Sequence, residues 1–364
     1  MSSDRAELAR ARRIVVKIGS SSLSSDAALI PRLAAEIAEL LEAGRATVVV
    51  SSGAIALGCA RLGYRTRPKE MARLQAAAAA GQSVLMRRYD EAFASLGRMT
   101  AQVLLTHADL SSRERLNNAR NAFSALLDAN AVPIVNENDT VSTEEIKFGD
   151  NDQLAAMVVP LVAADGLVLL TDVEGVLDDK GERIPTYSSE TRIGNVAAEG
   201  PKLGTGGIRS KLDAAQKGAR SGANVVIARA SRPGVLREIF AGEDVGTLVP
   251  RPDTALRARK HWIAFTLRPR GALWLDGGAV EAVRAGKSSL LPVGLTGVSG
   301  EFNPGDAVRL LGPDGAEVGR GLTRLGVLDA ARSVGKKGED LDNLFGVHGR
   351  EMVVVHKDDL VVGA

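Results

Sequence analysis

A lysine in the middle of an apolar run is the first residue whose chemistry needs accounting for. Ile14-Val-Val-Lys17-Ile18 reads as a buried strand, and an ammonium group there is costly without an anionic partner. Taken alone, Lys17 also fits a solvated edge strand. The turn that follows, Gly19-Ser20-Ser21, shifts the balance, because glycine lets backbone N–H groups approach an anion closely. A second lysine, Lys211, closes the run Gly204-Thr205-Gly206-Gly207-Ile208-Arg209-Ser210. Glycines and a threonine at a helix start make a cradle of N–H donors for phosphates. A flexible linker fits this run poorly, since Lys211-Leu-Asp-Ala-Ala continues as a regular helix.

Three more polar turns carry potential chemistry. Ser51-Ser52-Gly53 opens a helix; it reads as an ordinary N-cap or as a helix end holding a carboxylate or phosphate. Asn136-Glu137-Asn138-Asp139 and Gly149-Asp150-Asn151-Asp152 fall within 17 residues of each other. Together they offer acceptors to an amine and donors to an acid, which suits a ligand carrying both. Thr171-Asp172 either starts a turn or meets a ribose or adenine. Other motifs fail: Gly286-Lys287-Ser288 lacks the upstream glycine of a P-loop, where Glu281 stands, and Arg209 occupies the last glycine position of GxGxxG.

The turns at Gly19, Ser51, Asn136 and Thr171 each follow a short apolar run. Strands are expected at 14–18, 47–50, 102–105, 132–135, 167–170 and 224–227, with helices at 32–43, 115–130, 153–163 and 210–221 between them. Near-continuous apolar strands alternating with helices predict a mostly parallel sheet covered on both faces. In such sheets ligands bind beyond the carboxyl ends of the strands, which is where these four polar turns lie. From about residue 268 the chain becomes Gly-rich with short strands at 272–275, 307–311 and 351–355, the texture of a small β-rich domain.

Composition removes several alternatives. Lys and Arg number 46 against 44 Asp and Glu, too even a balance to single out nucleic acid as the main partner. Residues 268–364 carry twelve basic and thirteen acidic side chains, so this tail is a poor candidate for strong RNA binding. The single Cys59 excludes an internal disulfide framework, and the four scattered histidines form no zinc-like cluster. No apolar run reaches the roughly 18 residues of a membrane span, and Met1-Ser-Ser-Asp-Arg5 is followed by no apolar export segment; a cytoplasmic protein is expected.

Val15-Val-Lys17-Ile-Gly-Ser20, Ser51-Ser-Gly-Ala-Ile-Ala56, Val135-Asn-Glu-Asn-Asp139, Gly149-Asp-Asn-Asp152, Leu170-Thr-Asp172 and Gly204-Thr-Gly-Gly207 with Lys211 resemble the amino acid kinase family, in the branch that phosphorylates glutamate. The tail resembles a PUA domain, with Lys260-His-Trp-Ile263 similar to the link into it. The resemblance implies an α/β/α sandwich over residues 1–267, a PUA-like domain over 268–364, and ATP-dependent phosphorylation of the γ-carboxylate of L-glutamate to L-glutamyl 5-phosphate, the first step of proline biosynthesis. Lys17, Gly19, Ser20, Thr171, Asp172, Thr205, Gly206, Gly207, Ile208, Arg209, Ser210 and Lys211 would then bind ATP, with Mg²⁺ bridging its phosphates. Ser52, Gly53, Asp139 and Asn151 would hold glutamate with Asn136 nearby, and Asp152 would organise the two catalytic lysines. The family's loop more often has Met and Thr where Ile208 and Ser210 stand. Feedback inhibition by proline, handover to glutamate-5-semialdehyde dehydrogenase and a homo-oligomer are further implications. A kinase of N-acetylglutamate or aspartate, and an RNA-binding PUA protein, are the alternatives.

Overall fold

A computed structural model of the chain describes residues 3–141, 150–188, 207–252, 260, 263–264, 267–286, 288–346 and 352–363. Two compact units divide it, residues 1–255 and 256–364. In the first, helix α1 (Ser3–Leu8) leads into β1 (Arg13–Ile18), α2 (Ser20–Ser25), α3 (Leu29–Glu42), β2 (Ala46–Ser51), α4 (Ala54–Arg61) and α5 (Met71–Ala94). Next come β3 (Thr100–Leu105), α6 (His107–Ser111), α7 (Arg113–Asp128), β4 (Val132–Glu137), α8 (Asp150–Val162) and β5 (Gly166–Thr171). The unit ends with α9 (Ile208–Arg220), β6 (Asn224–Arg229), α10 (Val235–Ala241) and β7 (Thr247–Val249).

The strands form one sheet in the order β3-β4-β2-β1-β5-β6-β7. All neighbours run parallel except β7, which is antiparallel to β6. β1 sits near the middle and is buried from Ile14 to Ile18, so its two faces need separate cover. Side chains alternate across a strand: Ile14, Val16 and Ile18 pack with α3, α5 and α10, whereas Val15 packs with α8 and α9. Lys17 shares the parity of Val15 and therefore points toward α8 and α9. That alternation is what brings an embedded lysine to the helices carrying its partners.

Helices α4 and α5 pack unusually close to each other. A Cβ on Gly58 of α4 would stand 1.7 Å from the Ala77 carbonyl oxygen, and one on Gly81 of α5 would stand 1.8 Å from that of Ala54. The two helices therefore cross backbone to backbone, and the alanine-rich stretch of α5 is packed helix, with Ala77 and Ala78 buried. α10 is held differently: its free N–H groups at Gly234 and Leu236 donate to the buried Glu36 carboxylate at 3.0 and 2.8 Å. Burial pushes the Glu36 carboxyl above its ordinary range, against the pull of these N–H donors.

In the second unit, β8 (Gly271–Leu275), β9 (Leu295–Gly300), β10 (Ala307–Leu311), β11 (Glu317–Thr323) and β12 (Val355–Val362) form a sheet ordered β12-β11-β10-β8-β9. Its core gathers Leu273, Leu275, Val308, Leu310 and Leu360. Ile263 and Ala264 pack with Val361, and Arg320 Nη1 donates to the Ala264 carbonyl at 2.8 Å. The stretch just ahead of residue 268 thus belongs to this unit. One strand differs from the sequence reading: it was expected at 351–355 and instead starts at Val355. Val354 and Val355 are taken up by a bridge to Leu290, and the polar His356–Asp359 lies on an edge strand, where charge is tolerated.

Candidate active site

Lys17 and Lys211 converge on one carboxylate. Lys17 Nζ lies 2.6 Å from Asp152 Oδ1 and Lys211 Nζ lies 3.1 Å from Asp152 Oδ2. Asp152 is fully buried and Lys17 is 4% exposed, so little water screens the group. Desolvation holds the Lys17 ammonium below its ordinary range, with Asp152 pulling it back up and Lys211 pushing it further down. Two ammonium groups thus converge on one carboxylate in a place shielded from water. An anion entering there would meet both ammonium groups at once, an arrangement that suits phosphates.

Backbone donors surround the same point. Gly19 is the N-cap of α2 and Gly207 that of α9, and neither helix has a side chain capping its first turn. A Cβ on Gly19 would come into ordinary contact with Lys17 Nζ, at 3.7 Å, which places this turn beside the ammonium. Ser20 opens α2, and Ile208, Arg209, Ser210 and Lys211 form the first turn of α9. Thr171 is buried at the end of β5 and donates to the exposed Asp172 at 3.0 Å. Thr205, Gly206 and Gly149 lie outside the described residues.

An amide cluster adjoins the lysines. Asn151 Nδ2 meets the Ser51 carbonyl at 3.0 Å, Ser52 Oγ at 2.8 Å and Asn136 Oδ1 at 3.0 Å. Ser52 is therefore no helix cap: Gly53, at φ +102°, is the N-cap of α4, which has no side-chain cap. That left-handed backbone is one only glycine adopts easily. Below it, Ser51 Oγ and Tyr89 OH are 2.9 Å apart, and burial pushes the Tyr89 phenol far up. Asp139 is also buried, near Arg67, whose guanidinium is lowered by burial and partly restored by Cys59 and Asp139.

Sequence reasoning missed Gln82. It sits mid-helix on α5, accepts from Asn136 Nδ2 at 2.9 Å and donates to Gln102 Oε1 at 3.1 Å. No local pattern marks it, since only the fold brings α5 against the end of β4. The 2.6 Å bond from Lys217 Nζ to Gln153 Oε1, which ties α9 to α8, is equally invisible in the sequence.

A doubly covered, mostly parallel sheet whose carboxyl edge sets a buried pair of lysines beside an amide cluster defines the chain as an α/β protein. Comparison with known proteins narrows the class. Residues 12–229 match the amino acid kinase family and residues 271–345 match the PUA domain. The chain belongs to the amino acid kinase family. It is 44% identical to a glutamate 5-kinase of Cupriavidus pinatubonensis over 98% of this chain and 99% of that protein. With a glutamate 5-kinase of Chromohalobacter salexigens it shares 45% identity over 99% of this chain and 98% of that one. The fold also matches N-acetylglutamate synthase from Neisseria gonorrhoeae, at TM-score 0.53 and 18% identity, over 69% of this chain and 63% of that one.

Proposed function

We infer that this chain transfers the γ-phosphoryl group of ATP to the γ-carboxylate of L-glutamate, giving L-glutamyl 5-phosphate and ADP, the step that opens proline biosynthesis. The observation that carries the reading is the adjacency of Asn151 and Asp152 at the start of α8. One belongs to the amide cluster and the other to the lysine pair, so an amino acid and a phosphoryl group would meet at one helix end. The full-length likeness to glutamate 5-kinases supports glutamate as the substrate.

The chemistry needs no general base. A γ-carboxylate with an ordinary pKa of about 4.3 is already ionised at neutral pH. The barrier is electrostatic, since an anion must attack an anionic phosphate in line. Lys17 and Lys211 neutralise charge on the phosphates, and the N–H groups following Gly19 and Gly207 add donors. Asp152 orients the two ammonium groups. Ser52, Asn136, Asp139 and Asn151 hold the amino acid, and Thr171 and Asp172 the nucleoside. Asp152 is already shared by two lysines and, among the described residues, no group of three or more His, Cys, Asp or Glu converges. This donor set suits Mg²⁺ carried on the nucleotide, where it screens phosphate charge.

A cytoplasmic site of action agrees with the reading, and among the described residues no helix is long and apolar enough to cross a membrane. Inhibition by proline, use of the product by glutamate-5-semialdehyde dehydrogenase and a homo-oligomeric state belong to the same proposal, supported by the family likeness alone. A panel of L-glutamate, N-acetylglutamate and L-aspartate, read by ADP release, tests it. ADP release is expected with L-glutamate; release with N-acetylglutamate and none with glutamate would overturn it.

A further inference from the structure

Asn136 is 2% exposed, so each polar atom of its carboxamide needs a partner. The Glu137 backbone N–H can only donate, and at 2.9 Å it fixes Asn136 Oδ1 as an acceptor. Asn136 Nδ2 must then face Gln82 as donor, and Gln82 presents Oε1 to it at 2.9 Å. Gln82 Nε2 in turn is steadied by Gln102 Oε1 at 3.1 Å. At the other end, the Ser51 carbonyl can only accept, which fixes the Asn151 atom 3.0 Å away as Nδ2. The two amide hydrogens of Asn151 are thereby shared among three acceptors, the Ser51 carbonyl, Ser52 Oγ and Asn136 Oδ1. Its Oδ1 is shielded from water and has no partner among the described residues. A buried acceptor left alone is costly, and a ligand that donates would relieve it.

We propose that Gln82 is a positioning residue for substrate recognition: it holds Asn136, and through Asn136 it holds Asn151 with Oδ1 open to the α-ammonium group of the amino-acid substrate. The inference rests on the function given above and extends it to a side chain that touches no substrate. A free ammonium group carries three donors, whereas an N-acylated amine keeps one N–H beside a bulky carbonyl. The orientation that Gln82 maintains therefore favours the free amino acid.

Steady-state kinetics of the full-length chain with Q82M, Q82N and Q82E test this. Q82M removes the acceptor, and Q82N withdraws it by one methylene while staying polar, so it answers the question if Q82M fails to fold. Both are expected to raise KM for glutamate about tenfold, as for one buried donor left unpaired, with KM for ATP unchanged. Q82E keeps an oxygen for Asn136 Nδ2, and the exposed Gln102 can turn its amide to donate, so its KM for glutamate is expected to stay within roughly threefold of wild type. The role is overturned if Q82E is as impaired as Q82M and Q82N, if neither of those raises KM for glutamate, or if KM for ATP rises in parallel. A wild type without glutamate-dependent turnover would refute the function itself; an active wild type with indifferent variants would refute only the role of Gln82.

Discussion

Replacing Asp152 by Asn changes little in shape and removes the carboxylate that Lys17 and Lys211 share. Both contacts, at 2.6 and 3.1 Å, are buried. At an effective dielectric of about 20, unit charges about 4 Å apart attract by about 4 kcal/mol, and removing one partner of a buried pair costs about 3–5 kcal/mol. The two ammonium groups would then repel, and Lys17, already held below its ordinary range by burial, would lose the partner that pulls it back up. Either outcome costs one well-placed cation at the phosphates. Losing one preorganised stabilising group lowers kcat about 100- to 1,000-fold, and D152N is expected to fall in that range by ADP release at saturating substrates. KM for glutamate should move far less, because Asn151 and Ser52 keep their backbone supports. Inorganic phosphate supplies the missing anion, so it should raise the Tm of D152N more than that of wild type. A kcat within about fivefold of wild type, or equal stabilisation of both proteins by phosphate, would refute the shared-carboxylate reasoning.

Lys211→Ala is expected to lower kcat about 100-fold or more while KM for glutamate changes little; a kcat preserved within a few-fold would remove Lys211 from the phosphoryl site. Gly81→Ala would drive a Cβ into the Ala54 carbonyl, 1.8 Å away, forcing α4 and α5 apart at a cost of about 3 kcal/mol. Thermal unfolding should show a drop of roughly 6–12 °C for a domain of this size, and an unchanged Tm would contradict the close crossing. Glu36 bears on pH dependence: burial raises its carboxyl above the usual value of about 4.3, so the folded state holds its proton to higher pH than the unfolded state does. Stability from this group is therefore greatest at low pH and declines as pH rises through the raised value. Urea unfolding of wild type and E36Q should show wild type losing ground to the variant across that window, and parallel profiles would refute it.

Much of the first unit could be read from residue order, for identifiable reasons. The parallel strands announce themselves because both their faces are buried, which leaves uninterrupted β-branched runs such as Ile14–Val16 and Thr47–Val50. Lys17 stood out against that background, and the polar turns stood out because they follow such runs. What residue order does not contain is the meeting of distant elements. Gln82 lies in a helix without local punctuation, and its role comes from the approach of α5 to β4. Gly58 and Gly81 look like ordinary helix interruptions until the backbone crossing gives both a purpose. The sharing of Asp152 between two lysines depends on the pleat of β1 and the packing of α9 on α8, neither of which is a spacing in the chain. β12 went astray because His356–Asp359 breaks the apolar pattern that marks a buried strand, although an edge strand has no need of it.

In the proposed reaction a carboxylate, held by the amides around Asn151, receives a phosphoryl group held by Lys17 and Lys211. An acyl phosphate reacts with hydroxylamine to give a hydroxamate, whereas simple ATP hydrolysis leaves none. With ATP, Mg²⁺, L-glutamate and hydroxylamine, γ-glutamyl hydroxamate should accumulate in step with ADP and vanish when glutamate is withheld. ADP formation without hydroxamate, at the same rate with and without glutamate, would contradict the account.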